Sequence, residues 1–184
     1  MSDTDDGFTL VELMIYIGLS VVVLLIVGGI FINSLNAERS VRGVNTSTNL
    51  GQLASQSITN GVRNSSNIQL TAPSAGTQLL MTRSVGSAAT PVWTCNAWYL
   101  SNGEIRTKQS ATAIAAPTEA QLASWTVLNP DVKARGAIPV FALTARRIDL
   151  IFESKNGTGK AVLFKTSAAS RQPPPAGADS PICF

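Results

Sequence analysis

The sequence predicts an α+β protein: one long N-terminal helix, apolar in its first half, packed on a small antiparallel β-sheet head. Three observations predict it. Residues 13–32 form a 20-residue stretch without a charge. Beyond Asn33 the chain turns polar but keeps apolar residues at i+3 and i+4 spacing through about Arg63. After Asn64 that period gives way to short β-type runs set between Gly, Pro, Asn and Ser.

The apolar stretch comes first. At 1.5 Å per residue, 20 helical residues reach roughly 30 Å, the thickness of a bilayer's hydrocarbon core. This segment explains why only 14% of the 184 residues are charged while 45% are apolar, against the usual quarter of charged residues in a soluble domain. Leu50, Leu53, Ala54, Ile58 and Val62 then mark one apolar face on a continuation of the same helix, with Val41-Arg42-Gly43-Val44-Asn45 as a weak point where it can bend. Residues 68–71 and 78–82 read as strands. Residues 92–100 read as a third, with Trp93, Cys95, Ala97 and Tyr99 on one face. Asn102-Gly103 is a hairpin turn into residues 104–107. Residues 117–124 suit a short helix, with Pro117 at its start. Residues 140–143, 148–152 and 161–165 complete the strands, the last two forming a hairpin around Asn156-Gly157-Thr158-Gly159. The segments are therefore a leader (1–7), a membrane-length helix (8–32), its amphipathic continuation (33–64), a β-rich head (65–169) and a Pro-rich tail (170–184).

The composition removes much chemistry. With no histidine, His-based triads, His metal sites and His general bases are excluded. Two cysteines far apart make neither a four-Cys zinc site nor a CxxC pair. Gly159-Lys160 lacks the Ser/Thr of a phosphate-binding loop, and Ser154 stands where its first Gly belongs. The sequence therefore leads to no catalytic residue, no metal and no cofactor.

Glu12 is the anomaly, an acid one turn inside an apolar helix. A carboxylate deep in lipid costs roughly 2.5–3.5 kcal/mol on insertion scales. Either it lies hydrated at the membrane edge, or a cation answers it. Cutting after Gly7 would supply one, since a free α-amine on Phe8 has a pKa of about 7.7–8.0 and stands four residues before Glu12. The same amine can serve the Glu12 of a neighbouring subunit.

Gly7-Phe8-Thr9-Leu10-Val11-Glu12-Leu13 before an apolar helix resembles the class III signal of type IV prepilins and type II secretion pseudopilins. The resemblance implies cleavage between Gly7 and Phe8 by a membrane prepilin peptidase, N-methylation of Phe8, and Glu12 as the acid that registers subunits against a neighbour's amine. Its implied partners are that peptidase, other pilin or pseudopilin subunits, and an assembly platform in the inner or cell membrane. Its implied location is a single-pass membrane protein that later becomes extracytoplasmic in a pilus or pseudopilus. Two departures stand out. The leader carries Asp3, Asp5 and Asp6 where family members usually have Lys or Arg, and Arg39 and Arg42 follow the apolar segment, the reverse of a positive-inside arrangement. Gly28-Gly29 occupies the region where many pilins have a proline. Val62-Arg63-Asn64-Ser65, the aromatic strand and turn from Trp98 to Arg106, and the late hairpin from Arg147 are more similar to minor pilins and J-type pseudopilins than to major pilins. The competing class is an uncleaved membrane-anchored binding module with a β-rich ectodomain.

Cys95 and Cys183 lie 88 residues apart. As a disulfide they would tether the tail to the head in an oxidising compartment; otherwise they are a small buried residue and a thiol on a tail. Losing the leader's three Asp leaves 8 acidic against 14 basic residues. That balance admits DNA as a partner, but no aromatic-basic motif marks a binding face, and a solvated basic surface is the simpler reading.

Overall fold

The computed structural model describes residues 9–85, 92–157, 159–173 and 183–184. They form a long helix and two antiparallel β-sheets, the α+β arrangement expected. The chain divides into two compact units, the first ending at Val41 and the second beginning at Arg42.

Helix α1 (Leu10–Arg63) runs through both. It begins two residues later than the sequence suggests, with Thr9 ahead of its first turn. It is helical across Val41–Asn45, where a weak point was expected, and across Gly28-Gly29 as well. In the first unit every side chain from Leu10 to Arg39 is exposed, and this helix is long and apolar enough to cross a membrane.

In the second unit α1 carries a different surface. Ser47, Gly51, Ala54, Ile58 and Val62 are buried, whereas Leu53, expected inward, is exposed, and Leu50 is half-buried. The reason is close approach. A Cβ at Gly51 would fall within the ring of Phe164, and one at Gly61 within the ring of Trp98. A Cβ at Gly43 would meet the Gly159 backbone at 3.0 Å. Small residues at these positions let two aromatic rings and a loop seat directly on the helix backbone. The inward stripe is therefore set by missing side chains as much as by apolar ones.

The larger sheet orders β1 (Ser65–Thr71), β2 (Gln78–Val85), β3 (Trp93–Ser101), β4 (Glu104–Ser110) and β5 (Thr126–Asn129) side by side. Asn102 and Gly103 both take positive φ, 51° and 75°, in the two-residue turn that joins β3 to β4, as the Asn-Gly pair predicts. Between β4 and β5 lies α2 (Glu119–Leu122), shorter than expected, opened by Gln121 Oε1 accepting the Thr118 N–H at 3.0 Å.

The smaller sheet centres on β8 (Arg147–Ser154). It pairs with β9 (Val162–Ala169) along its full length on one side, and with β7 (Phe141–Thr144) and β6 (Val132–Lys133) on the other. The β8–β9 hairpin is the one the sequence suggests; Thr158 of its turn lies outside the described residues.

One core joins the second half of α1 to both sheets through Ile58, Val62, Leu80, Trp98, Ile105, Phe141, Ile148 and Phe152. Phe164 stacks on Phe152 with ring centroids 5.2 Å apart. Polar bridges tie the sheets together. The Gln78 side chain donates through Nε2 to the Phe141 carbonyl (2.8 Å) and accepts the Phe141 N–H on Oε1 (3.0 Å), as a strand backbone would. Buried Asn129 donates to Ser154 Oγ at 2.9 Å. Gln78→Leu removes both partners of Phe141, and unpaired buried groups cost about 1–3 kcal/mol each. Urea titration should show a loss of about 2–3 kcal/mol, with Gln78→Glu, which keeps only an acceptor, also destabilising.

A second core lies on the opposite face of the larger sheet. Leu79, Met81, Cys95, Ala97 and Tyr99 pack there against Ile114, Trp125 and Cys183. Cys95, Ala97 and Tyr99 do share a face as expected. Trp93, the fourth of that set, is only half-buried, beneath the Arg83 guanidinium at 5.2 Å. Strand β3 is thus covered on both sides, which explains its run of four consecutive buried residues, Ala97 to Leu100.

The C-terminal side of β9 is fastened to the end of α1. Arg146 donates to Ser66 O (3.3 Å), to Ser170 Oγ (2.6 Å) and to Gln172 O. Ser170 Oγ donates to Ser65 O, and the Arg171 N–H to Arg63 O at 3.2 Å, which satisfies one of the helix's last carbonyls. Most of the Pro-rich tail, including Pro174 and Pro175, lies outside the described residues.

Candidate functional site

Two places answer the residues singled out in the sequence, one in each unit. The first is the opening turn of α1. Thr9 caps it: the Thr9 hydroxyl accepts the Glu12 N–H at 3.3 Å and the Thr9 carbonyl accepts the Leu13 N–H at 3.1 Å. The spacing is that of a capping box, Thr-x-x-Glu, yet the Glu12 carboxylate is used elsewhere. Its Oε1 accepts the Tyr16 hydroxyl, one turn further on, at 3.4 Å. An acid in the first turn also suits the positive end of the helix dipole. Between Glu12 and Glu38 no side chain is charged, so Glu12 is the lone ionisable acid on the exposed apolar surface.

The sequence reasoning found Glu12 but missed Thr9 and Tyr16. Both were detectable: Thr9 by its three-residue offset and Tyr16 by its four-residue offset on one helix face. Gly7 and Phe8, the expected cleavage and N-methylation positions, lie outside the described residues.

The second place is the cysteine pair. Cys95 and Cys183 form a disulfide, with Cα atoms 5.5 Å apart. The carbonyl of Cys183 accepts the Ile114 N–H at 3.1 Å. The bond therefore pins the C-terminal residues and the segment around Ile114 over Cys95, closing the second core.

The basic residues from Lys133 to Arg171 have different surroundings. Arg146 is spent on the tail contacts and Arg147 pairs with Asp149 at 2.7 Å, while Lys133 in β6, Lys155 and Lys160 in the β8–β9 turn and Lys165 in β9 lie exposed. Trp98 and Trp125 are buried core residues.

Comparison with protein-family models, with curated proteins and with solved structures finds no match in any of the three.

Proposed function

We propose that the chain is a structural subunit of a type IV pilus or type II secretion-like pseudopilus, made as a single-pass membrane precursor and processed after Gly7 by a prepilin peptidase. The observation that carries this reading is the junction Gly7-Phe8-Thr9-Leu10-Val11-Glu12, at the start of a helix whose apolar side chains from Leu10 to Ile32 are all exposed. Such a surface needs lipid or other helices around it. The disulfide agrees with an extracytoplasmic head.

In this mechanism the apolar helix stores the subunit in the membrane and then packs with its neighbours' helices in the filament. Cleavage gives Phe8 a free amine, which is N-methylated. That amine meets the Glu12 carboxylate of an adjacent subunit and sets the axial register, because in a low-dielectric helix bundle an unpaired carboxylate is costly. Tyr16, donating to Oε1 from one turn on, holds the carboxylate in place for the amine. The head, stiffened by two sheets and a disulfide, makes lateral or tip contacts. The aromatic β3 strand, its turn and Arg106 support a minor subunit, for priming or for the tip.

Glu12→Gln keeps size and helix propensity but removes the charge. The variant should be processed and retained in the membrane like the parent. Its recovery in sheared filaments, and its cysteine crosslinking to neighbouring subunits, should fall at least about tenfold, the loss of a buried charge partner. Unchanged crosslinking would remove Glu12 from the assembly mechanism.

A further inference from the structure

On its α1-facing side, the larger sheet changes character along its strands. Leu100 and Ile105, paired across β3 and β4, lie in the core; the next row holds Leu80, Trp98 and Thr107; the row beyond holds Thr82, Asn96 and Gln109. A sheet surface beneath a helix is ordinarily apolar throughout. Here the polar rows and the last two turns of α1 enclose an open groove of about 650 Å³, within the roughly 300–1,000 Å³ of small-molecule sites.

Its chemistry is uniform. Four carboxamides line it, Asn60 from the helix, Asn64 just past its end, and Asn96 and Gln109 from the sheet, with hydroxyls between them and no carboxylate. Lys108 is the one cation in the lining, and its ammonium lies 6.0 Å over the Trp125 ring. Among the described residues, the side chains of Asn60, Asn64 and Gln109 make no hydrogen bond. Asn96 uses only Nδ2, donating to Ser84 Oγ at 3.2 Å. Gly61, whose missing side chain admits the Trp98 ring, also lines the groove.

We propose that this groove binds a neutral saccharide. A carboxamide offers a paired donor and acceptor, and a sugar's adjacent hydroxyls are each both, so a row of amides suits a polyol. A nucleic-acid strand would call for a line of Lys and Arg and exposed aromatic faces; the groove has one Lys, and Trp98 is 3% exposed. A peptide strand would call for a free sheet edge with apolar side-chain pockets beside it; β4 is free of β5 beyond Thr107, but the lining around that edge is amides and hydroxyls and offers no such pocket. With no ring face to stack on, affinity rests on hydrogen bonds and is modest. The inference does not depend on filament assembly.

The test uses the full chain in phospholipid nanodiscs, free of sugar-headed detergent. Saturation-transfer NMR and titration are run against neutral di- and trisaccharides of glucose, galactose and N-acetylglucosamine, with a single-stranded DNA 12-mer alongside. Asn60→Ala and Gln109→Ala alter exposed side chains and leave the fold intact, checked by unchanged Tm. At least one sugar should bind with a Kd below about 10 mM. Each substitution should weaken it at least about fivefold, the effect of losing one hydrogen bond. The proposal is overturned if no sugar binds below that limit, if only the DNA binds, or if sugar binding is unchanged in both variants.

Discussion

Reducing the Cys95–Cys183 bond lowers the thermal midpoint of the head by about 10–20 °C. The bond joins residues 88 positions apart, and in the chain-entropy model a loop of that length is worth roughly 4–5 kcal/mol. For a chain of this size each kcal/mol moves Tm by about 2–4 °C. The structure adds a local consequence. Cys183 and Phe184 complete the second core, and the Ile114 N–H depends on the Cys183 carbonyl. Opening the bond exposes this core before the first one, so Trp125 fluorescence, with Tyr99 6.2 Å away, should shift red at temperatures where the main sheets remain folded. Because either cysteine alone abolishes the bond, Cys95→Ala, Cys183→Ala and the double variant should have similar stabilities. A change below 2 °C on reduction, measured with a fully reduced sample, would show that the bond bears little of the fold.

Gly61→Ala is the second large effect, and it comes from a single methyl group. The new Cβ falls within the Trp98 ring, whose Nε1 donates to Ser57 Oγ at 2.9 Å on the same helix. The ring cannot withdraw without breaking that bond and leaving its place against Leu80 and Leu100. Overpacking of this kind costs typically 1–3 kcal/mol, and the loss of the Trp98 seat puts the expected value at about 3 kcal/mol. Gly51→Ala, which meets Phe164 in the same way, should cost a similar amount. On the exposed neighbouring position, Asn60→Ala should change stability by less than about 0.5 kcal/mol. Trp98→Phe combined with Gly61→Ala should be less destabilised than the sum of the two, because the smaller ring makes room. Additive losses would place the strain elsewhere.

These glycines also show where sequence reading stops. Periodicity found the long helix, because its signal is carried by many residues at once. The Asn-Gly turn and the β8–β9 hairpin were legible through local chemistry, and Ala54, Ile58 and Val62 through spacing. Leu53 misled, because the inward direction is set by how closely Phe164 and Trp98 approach Gly51 and Gly61, and absent side chains give no hydrophobic signal. The division into two sheets was not legible either. β5 and β6 have four and two residues, too short to show alternation, and they exist by pairing with partners distant in sequence. Gln78 looked like any strand-end polar residue; its bridge to Phe141 spans 63 positions. For the candidate site, Glu12 was conspicuous as an acid among apolar residues, and the cysteines were conspicuous by number. The amide-lined groove was invisible, since its residues come from α1 and four separate strands.

In the proposed assembly Phe8 becomes the N-terminus of a filament subunit. Intact-mass and N-terminal peptide mass spectrometry on protein isolated from its own membranes, in parent and Gly7→Ala forms, tests it most directly. The expected result is an N-methylated Phe8 as first residue in the parent, and residues 1–7 retained in the Gly7→Ala variant. A parent that keeps Met1 to Gly7 in cells with an active prepilin peptidase would contradict it, and would leave the chain as an uncleaved membrane-anchored binding module.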